Sequence, residues 1–221
     1  MKKNKPTYIL ILSLFSFISC ISQENKKMEI IKTPESFKIL NEAEGDLDKD
    51  GVSEKVIVYD TKKLTDFGTE RQIFIYKKNI YNWVIWKKSI GAILPSQHGG
   101  MMGDPFQEIL IEKNCLVINH FGGSREKWSY THRFRYQNGN FQLIGATVNF
   151  GSPCDYFVNF DYNLSTGKIN YKKETENCEK DSSTIETKNI IKKLKTLPPM
   201  DGFYPGDNKL TFSNSKLTIY Y

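Results

Sequence analysis

The chain has 221 residues, with 31 Lys and Arg against 25 Asp and Glu for a net charge of +6. At 25% charged and 39% hydrophobic residues it is neither collagen-like, nor wholly disordered, nor a polytopic membrane protein. A chain of about 220 residues makes one ordinary domain that buries roughly 70% of its unfolded surface. The first twenty residues hold Lys2, Lys3 and Lys5 and no acid, so without those lysines the balance falls to +3. Dedicated nucleic-acid binders usually show a basic stripe and a domain pI above about 9, so no nucleic acid is expected as a partner. The 14 Phe, 12 Tyr and 3 Trp lean toward β structure.

The three lysines precede an apolar run from Tyr8 to Ile18, closed by Ser19-Cys20. A basic start, a short apolar stretch and a small residue at its end describe an export signal. The run is shorter than the roughly 20 apolar residues a spanning helix needs. Residues 1–19 are therefore predicted to be a signal peptide. Residues 20–33, mostly polar and charged, form a tether, and a single β-rich domain follows over 34–221. Phe17-Ile18-Ser19-Cys20 resembles the lipobox of bacterial lipoproteins, although Phe17 stands where that family prefers Leu. The resemblance implies acylation of Cys20 and attachment to the lipid bilayer through an N-terminal acyl anchor, placing the protein in the cell envelope. Ordinary cleavage after Ser22 is the alternative and leaves a periplasmic or secreted soluble protein.

Asp46-Leu47-Asp48-Lys49-Asp50-Gly51 fits the pattern D-x-D-x-D-G, with Glu54 three residues after the glycine. Carboxylates at every second position of a tight loop can converge on one hard cation, and glycine permits the turn that closes it. The expected ligand set is Asp46, Asp48, Asp50, the carbonyl of Val52 and Glu54, with Ca2+ as the ion in a structural role. The twelfth loop position is Ile57, not Glu, which excludes a helix–loop–helix EF-hand. The loop leads into a strand and resembles the single calcium loops of FG-GAP and VCBS-type repeats. A solvated acidic turn is the alternative.

Short alternating runs then recur: Lys55–Thr61, Arg71–Tyr76, Tyr81–Lys87, Gln107–Glu112, Cys115–Phe121, Trp128–Tyr136 and Phe141–Val148. Most are separated by turn residues, including Asn138-Gly139, a strong hairpin signal. Asp155–Leu164 and Lys168–Glu174 flank Ser165-Thr166-Gly167, and the midpoint between Cys154 and Cys178 falls at Thr166. A hairpin folded there sets the two cysteines opposite each other, so Cys154–Cys178 is predicted to be a disulfide. Cys115 reads as a buried free thiol. One short helix is expected over residues 183–195, where Ile190, Ile191 and Leu194 share a face, ending before Pro198-Pro199. A last strand pair is expected at Lys209–Phe212 and Leu217–Tyr221. The fold class is mainly β: an antiparallel meander of about ten strands, arranged as a sandwich, a barrel or a curled sheet, with one short C-terminal helix.

Gln97-His98-Gly99-Gly100-Met101 is similar to the oxyanion loop of esterases, but the chain has no G-x-S-x-G elbow to accompany it. If Phe121 lies opposite Trp128, His120 and His132 fall on opposite faces of the sheet, which argues against a zinc site made by the three histidines. The aromatic row of Trp128–Tyr136 reads as core. The opposite row offers Arg133 and Arg135 either to an anionic ligand or to carboxylates on a neighbouring strand. The glycine turns around Gly99–Gly103 and Gly122–Gly123 are expected to gather near Asp104 and Arg125. His98, Asp104, Arg125, Arg133 and Arg135 are thus the candidate ligand-groove residues.

Four stretches, Gly45–Thr61, Leu94–Glu112, His120–Ala146 and Phe160–Lys168, together resemble a family of uncharacterised exported or lipid-anchored bacterial proteins common in Bacteroidetes. The resemblance spans about residues 34–205 and implies an envelope lipoprotein, with no catalytic residues to carry over. The expected function is a non-catalytic binding module, stabilised by calcium, whose partner is an envelope protein or polysaccharide. Two alternatives stand beside it. One is an enzyme acting on envelope polymers through acids such as Asp104 and Glu108, and the other is a purely structural envelope protein.

Overall fold

The computed structural model describes residues 30–80, 82–212 and 218–221. The predicted signal peptide, the lipidation residue Cys20 and most of the tether lie outside the described residues. The strands are β1 (Lys38–Gly45), β2 (Glu54–Thr65), β3 (Gly68–Lys78), β4 (Trp83–Ile90), β5 (Phe106–Glu112), β6 (Cys115–Gly123) and β7 (Lys127–Gln137). They continue with β8 (Asn140–Ser152), β9 (Tyr156–Asn163), β10 (Lys168–Asn177), β11 (Ser182–Ile191), β12 (Lys209–Thr211) and β13 (Thr218–Tyr220). Among the described residues they form three antiparallel sheets: β1-β2-β3-β4, β11-β10-β9-β8-β7-β6-β5, and the pair β12-β13. No sheet closes into a barrel. Each larger sheet is a meander, because tight turns such as Asn138-Gly139 (φ 52° and 79°) return the chain beside the strand just made.

The four- and seven-stranded sheets share one core. Val56, Val58, Ile73 and Ile75 come from the smaller sheet, and Leu116, Ile118, Phe134, Val148 and Phe160 from the larger. The sheets approach each other at β1 and β5, where the Ile109 N–H donates to Asn41 Oδ1 at 3.1 Å. The segment after β11 ties them together elsewhere. The Met200 N–H donates to the Phe141 carbonyl at 2.9 Å, and Ser89 Oγ donates to the Met200 carbonyl at 2.8 Å.

The smaller sheet is buried on its other face too. Ile57, Tyr59, Phe74 and Tyr76 pack there against Ile31, Phe37 and Trp83. Ile31, within the stretch expected as tether, packs on this apolar surface. β1, which the sequence reading passed over, is a half-exposed edge strand whose polar residues mask its alternation.

Two expectations are corrected. Residues 182–191 are a strand, not a helix, paired with β10 from Lys168↔Ile191 to Asn177↔Ser182. The run holds Thr184, Ile185, Thr187, Ile190 and Ile191, whose β-branched side chains suit a pleated surface better than a helix. β10 also offers an otherwise open edge for them to pair with. The β6–β7 register is one residue tighter than expected, with Gly122 opposite Trp128 and three residues in the turn. Gly123 makes this possible at φ 114°, where a Cβ would sit 2.1 Å from the Glu126 carbonyl oxygen. His120 and His132 consequently share the inner face.

The disulfide forms as expected. The β9–β10 hairpin turns through Gly167 (φ 79°), and Cys154 and Cys178 bond just past its open end with Cα atoms 5.2 Å apart. Among the described residues Cys115 is the free cysteine, and it is buried.

Candidate functional site

The acidic loop between β1 and β2 is built by local hydrogen bonds. Asp46 Oδ1 accepts from the Lys49 N–H at 2.6 Å and Oδ2 from the Gly51 N–H at 3.1 Å, while Asp50 Oδ1 accepts from Val52 N–H at 2.8 Å. Lys49 (φ 68°) and Gly51 (φ 85°) take the left-handed turn conformations that bend the chain back. Leu47 is buried and anchors the loop to the core, and Asn114 Nδ2 donates to the Asp46 carbonyl at 2.6 Å. Carboxylate oxygens of Asp46, Asp48 and Asp50 lie within 4.8 Å of one another, a group able to hold a metal ion.

Glu54, one of the five expected ligands, is engaged within the fold. It is 1% exposed and its Oε2 accepts the Leu47 N–H at 2.7 Å. Val52 is half-exposed, and its N–H caps Asp50.

The sequence reading missed Lys77, which arrives from the end of β3. Its ammonium bonds to Asp48, lies 3.2 Å from Asp50 Oδ2 and 3.5 Å from Glu54 Oε1, and rests 4.5 Å from the Trp86 ring centre. Burial opposes the charge on Lys77, but its hydrogen bonds to Asp48 and Asp50 outweigh it and raise the pKa. The Val52 N–H and then Lys77 hold Asp50 below its ordinary value. Burial pushes Glu54 up, against the Leu47 N–H. Lys77 could have been found from the pairing of Lys55 with Tyr76, which carries the next position of β3 alongside Glu54.

The expected ligand groove does not assemble as one site. The glycine turns do meet, with the Gly123 N–H donating to the Gly99 carbonyl at 2.9 Å. Asp104, however, is held by both terminal nitrogens of Arg71 at 2.5 Å, and Arg71 is 3% exposed. His98 accepts or donates to the Tyr204 hydroxyl at 3.0 Å in a cavity of about 410 Å3 that includes Tyr130 and Asp207. Arg125 stands exposed in the β6–β7 turn. Arg133 and Arg135 lie on the opposite face of β7 from Tyr130, and Arg133 pairs with Glu112 at 2.8 Å. Glu108 accepts from Asn119 Nδ2 at 3.2 Å.

His120 and His132 are both buried on the inner face. The Leu94 N–H donates to His120 Nε2 at 3.2 Å, while His120 Nδ1 and both His132 nitrogens have no partner among the described residues. Burial first, then Arg71 and His98, pushes His120 down to about 3. Burial and His120 do the same to His132. Both rings are therefore neutral.

The outer face of the seven-stranded sheet is different in kind. One row across it runs Asn119, Thr131, Thr147, Asp161, Asn170 and Asn189. The next runs Phe121, Ser129, Asn149, Asn159, Lys172 and Thr187. Neighbours bond along the rows: Thr131 Oγ1 to Asn119 Oδ1 at 2.8 Å, Thr147 Oγ1 to Asp161 Oδ1 at 2.8 Å, Asn149 Nδ2 to Ser129 Oγ at 3.0 Å and Asn159 Nδ2 to Asn149 Oδ1 at 2.6 Å. A cavity of about 260 Å3 at one end includes Phe121, Phe157 and Asn159, and one of about 420 Å3 at the other includes Arg133, Gly145 and Asp161. These residues were legible only as the polar half of each alternation.

Fold and site together define a two-sheet antiparallel β protein with a carboxylate loop at one sheet junction and a polar open face on the larger sheet. Comparison of the chain with family models, curated proteins and solved structures finds no match.

Proposed function

We propose that this protein is an exported, lipid-anchored binding module of the bacterial cell envelope, rigidified by calcium. The observation that carries the reading is the polar outer face of the seven-stranded sheet with a cavity at each end, covered by none of the described residues, on a domain cross-linked by a disulfide. Disulfides persist in oxidising compartments, which agrees with the leader-like start and with Cys20 as the acylated residue. The resemblance to exported Bacteroidetes-type proteins with an FG-GAP-like loop supports the same address. The partner on this reading is an envelope protein or polysaccharide, recognised without chemical conversion.

The donor set of Asp46, Asp48 and Asp50 consists of hard carboxylate oxygens, the class calcium takes. Asp48 Oδ1 is a buried acceptor with no partner among the described residues, so the loop has coordination capacity in reserve. Bound calcium would neutralise the loop and lock the β1–β2 junction. Lys77 already supplies one positive charge there, so it is displaced when the ion enters.

Two measurements test the reading. Cys20→Ser should move the protein from the membrane fraction to the soluble fraction, and unchanged membrane retention would refute the anchor. A thermal melt in EDTA and then in 1 mM calcium should show a rise of roughly 5–10 °C if the dissociation constant is about 10 μM. Lys77→Met should lower the melt in EDTA and enlarge the calcium response, whereas equal melts with and without calcium in both forms would remove the metal.

A further inference from the structure

We propose that the outer face of the seven-stranded sheet binds a neutral oligosaccharide chain laid across the strands along the row from Phe121 to Lys172, which lines the first cavity. The inference rests on the binding-module reading and names its ligand class. With strands about 4.8 Å apart, the row from Phe121 on β6 to Lys172 on β10 spans roughly 19 Å, room for several linked sugar rings. Between its two ends the row carries the hydroxyl of Ser129 and the amides of Asn149 and Asn159. Each amide both donates and accepts, matching the dual character of sugar hydroxyls.

They are also oriented before any ligand arrives. Asn159, Asn149 and Ser129 bond in series, and Thr147 holds Asp161. Such fixed, short side chains lose little entropy on binding. Phe157, 41% exposed, and Phe121 offer ring surface for the apolar face of a sugar at the first cavity.

The cations in the first cavity are engaged within the protein. Lys172 lies 3.3 Å from Glu174, and Lys127 Nζ donates to the Ser124 carbonyl. A polyanion would find few cations free, and a protein partner would find few apolar anchors of the kind that dominate such interfaces.

The test is binding of the whole protein, solubilised in a non-ionic detergent, to an array of neutral and charged glycans, with immobilised DNA and alginate as polyanion probes. Binding to at least one neutral glycan is expected, weakened at least tenfold in the Asn149→Ala/Asn159→Ala variant and in Phe157→Ala, with melting temperatures unchanged. Binding to neutral glycans that survives both variants would overturn the site. Binding only to the polyanions, or to no glycan, would overturn the ligand class. The binding-module reading fails separately, if removal of Asn149 and Asn159 and removal of the protein itself leave the same envelope composition and integrity.

Discussion

The two larger sheets treat their outer faces in opposite ways. The four-stranded sheet is apolar on both sides, with Tyr59, Tyr76 and Phe74 buried outward beneath Ile31, Phe37 and Trp83. The seven-stranded sheet buries Phe134, Phe160 and Tyr162 inward and turns asparagine, threonine and serine outward. An antiparallel sheet is stable with one face in water, so the larger sheet can leave its outer face free for recognition. The smaller sheet is packed on both faces at β2 and β3, where it completes the core and holds the acidic loop. On the proposed reading, stability and recognition are thereby separated in space.

The contrast can be sharpened by substitution and by pH. The largest effect is expected in acid. His120 and His132 are neutral in the folded protein, down at about 3, and would take up protons near pH 6.5 once unfolded. The folded state thus binds fewer protons below pH 6.5, and stability present above that pH is lost as it falls toward 3. Each ring contributes up to about 1.4 kcal/mol per pH unit in that window. Denaturant midpoints at pH 7.5 and 5 should differ accordingly, and the His120→Gln/His132→Asn variant should flatten the dependence. An unchanged slope in that variant would assign the acid sensitivity elsewhere.

Tyr59→Ala opens a cavity on the outer side of the small sheet and removes its contact with the Tyr76 hydroxyl at 3.0 Å. A loss of about 3–5 kcal/mol is expected in chemical unfolding. A loss under about 1 kcal/mol would mean that this face is not part of the structural core. Breaking the cross-link with Cys154→Ala/Cys178→Ala should cost roughly 3 kcal/mol, since the bridge closes a loop with a sequence separation of 24. The smallest effect is predicted for Asn149→Ala/Asn159→Ala, within about 0.5 kcal/mol per site. A much larger loss there would show that the polar rows serve stability and would erase the distinction between the two sheets.

Much of the fold was legible because its signals are local. Alternation marked most of the strands, Asn138-Gly139 marked its hairpin, and the symmetric placement of Cys154 and Cys178 about Thr166 foretold the disulfide. The aspartate spacing of Asp46, Asp48 and Asp50 likewise brought its carboxylates together, since the turn needs no distant residue to form. The helix expected at 183–195 failed because its faint apolar face competed with an open edge on β10 that no local pattern reveals.

The sequence by itself determined the β class, the turns, the cross-linked hairpin and the acidic loop, all set by side-chain period and backbone preference over a few residues. Only the tertiary structure decided the rest. The positive φ of Gly123 tightened one turn and brought His120 and His132 to a common face. The β2–β3 register carried Lys77 into the acidic loop. Six strands in register turned isolated asparagines and threonines into continuous rows. A one-residue change of register moves every side chain to the other face, and register is fixed by long-range packing, which no short stretch of sequence contains.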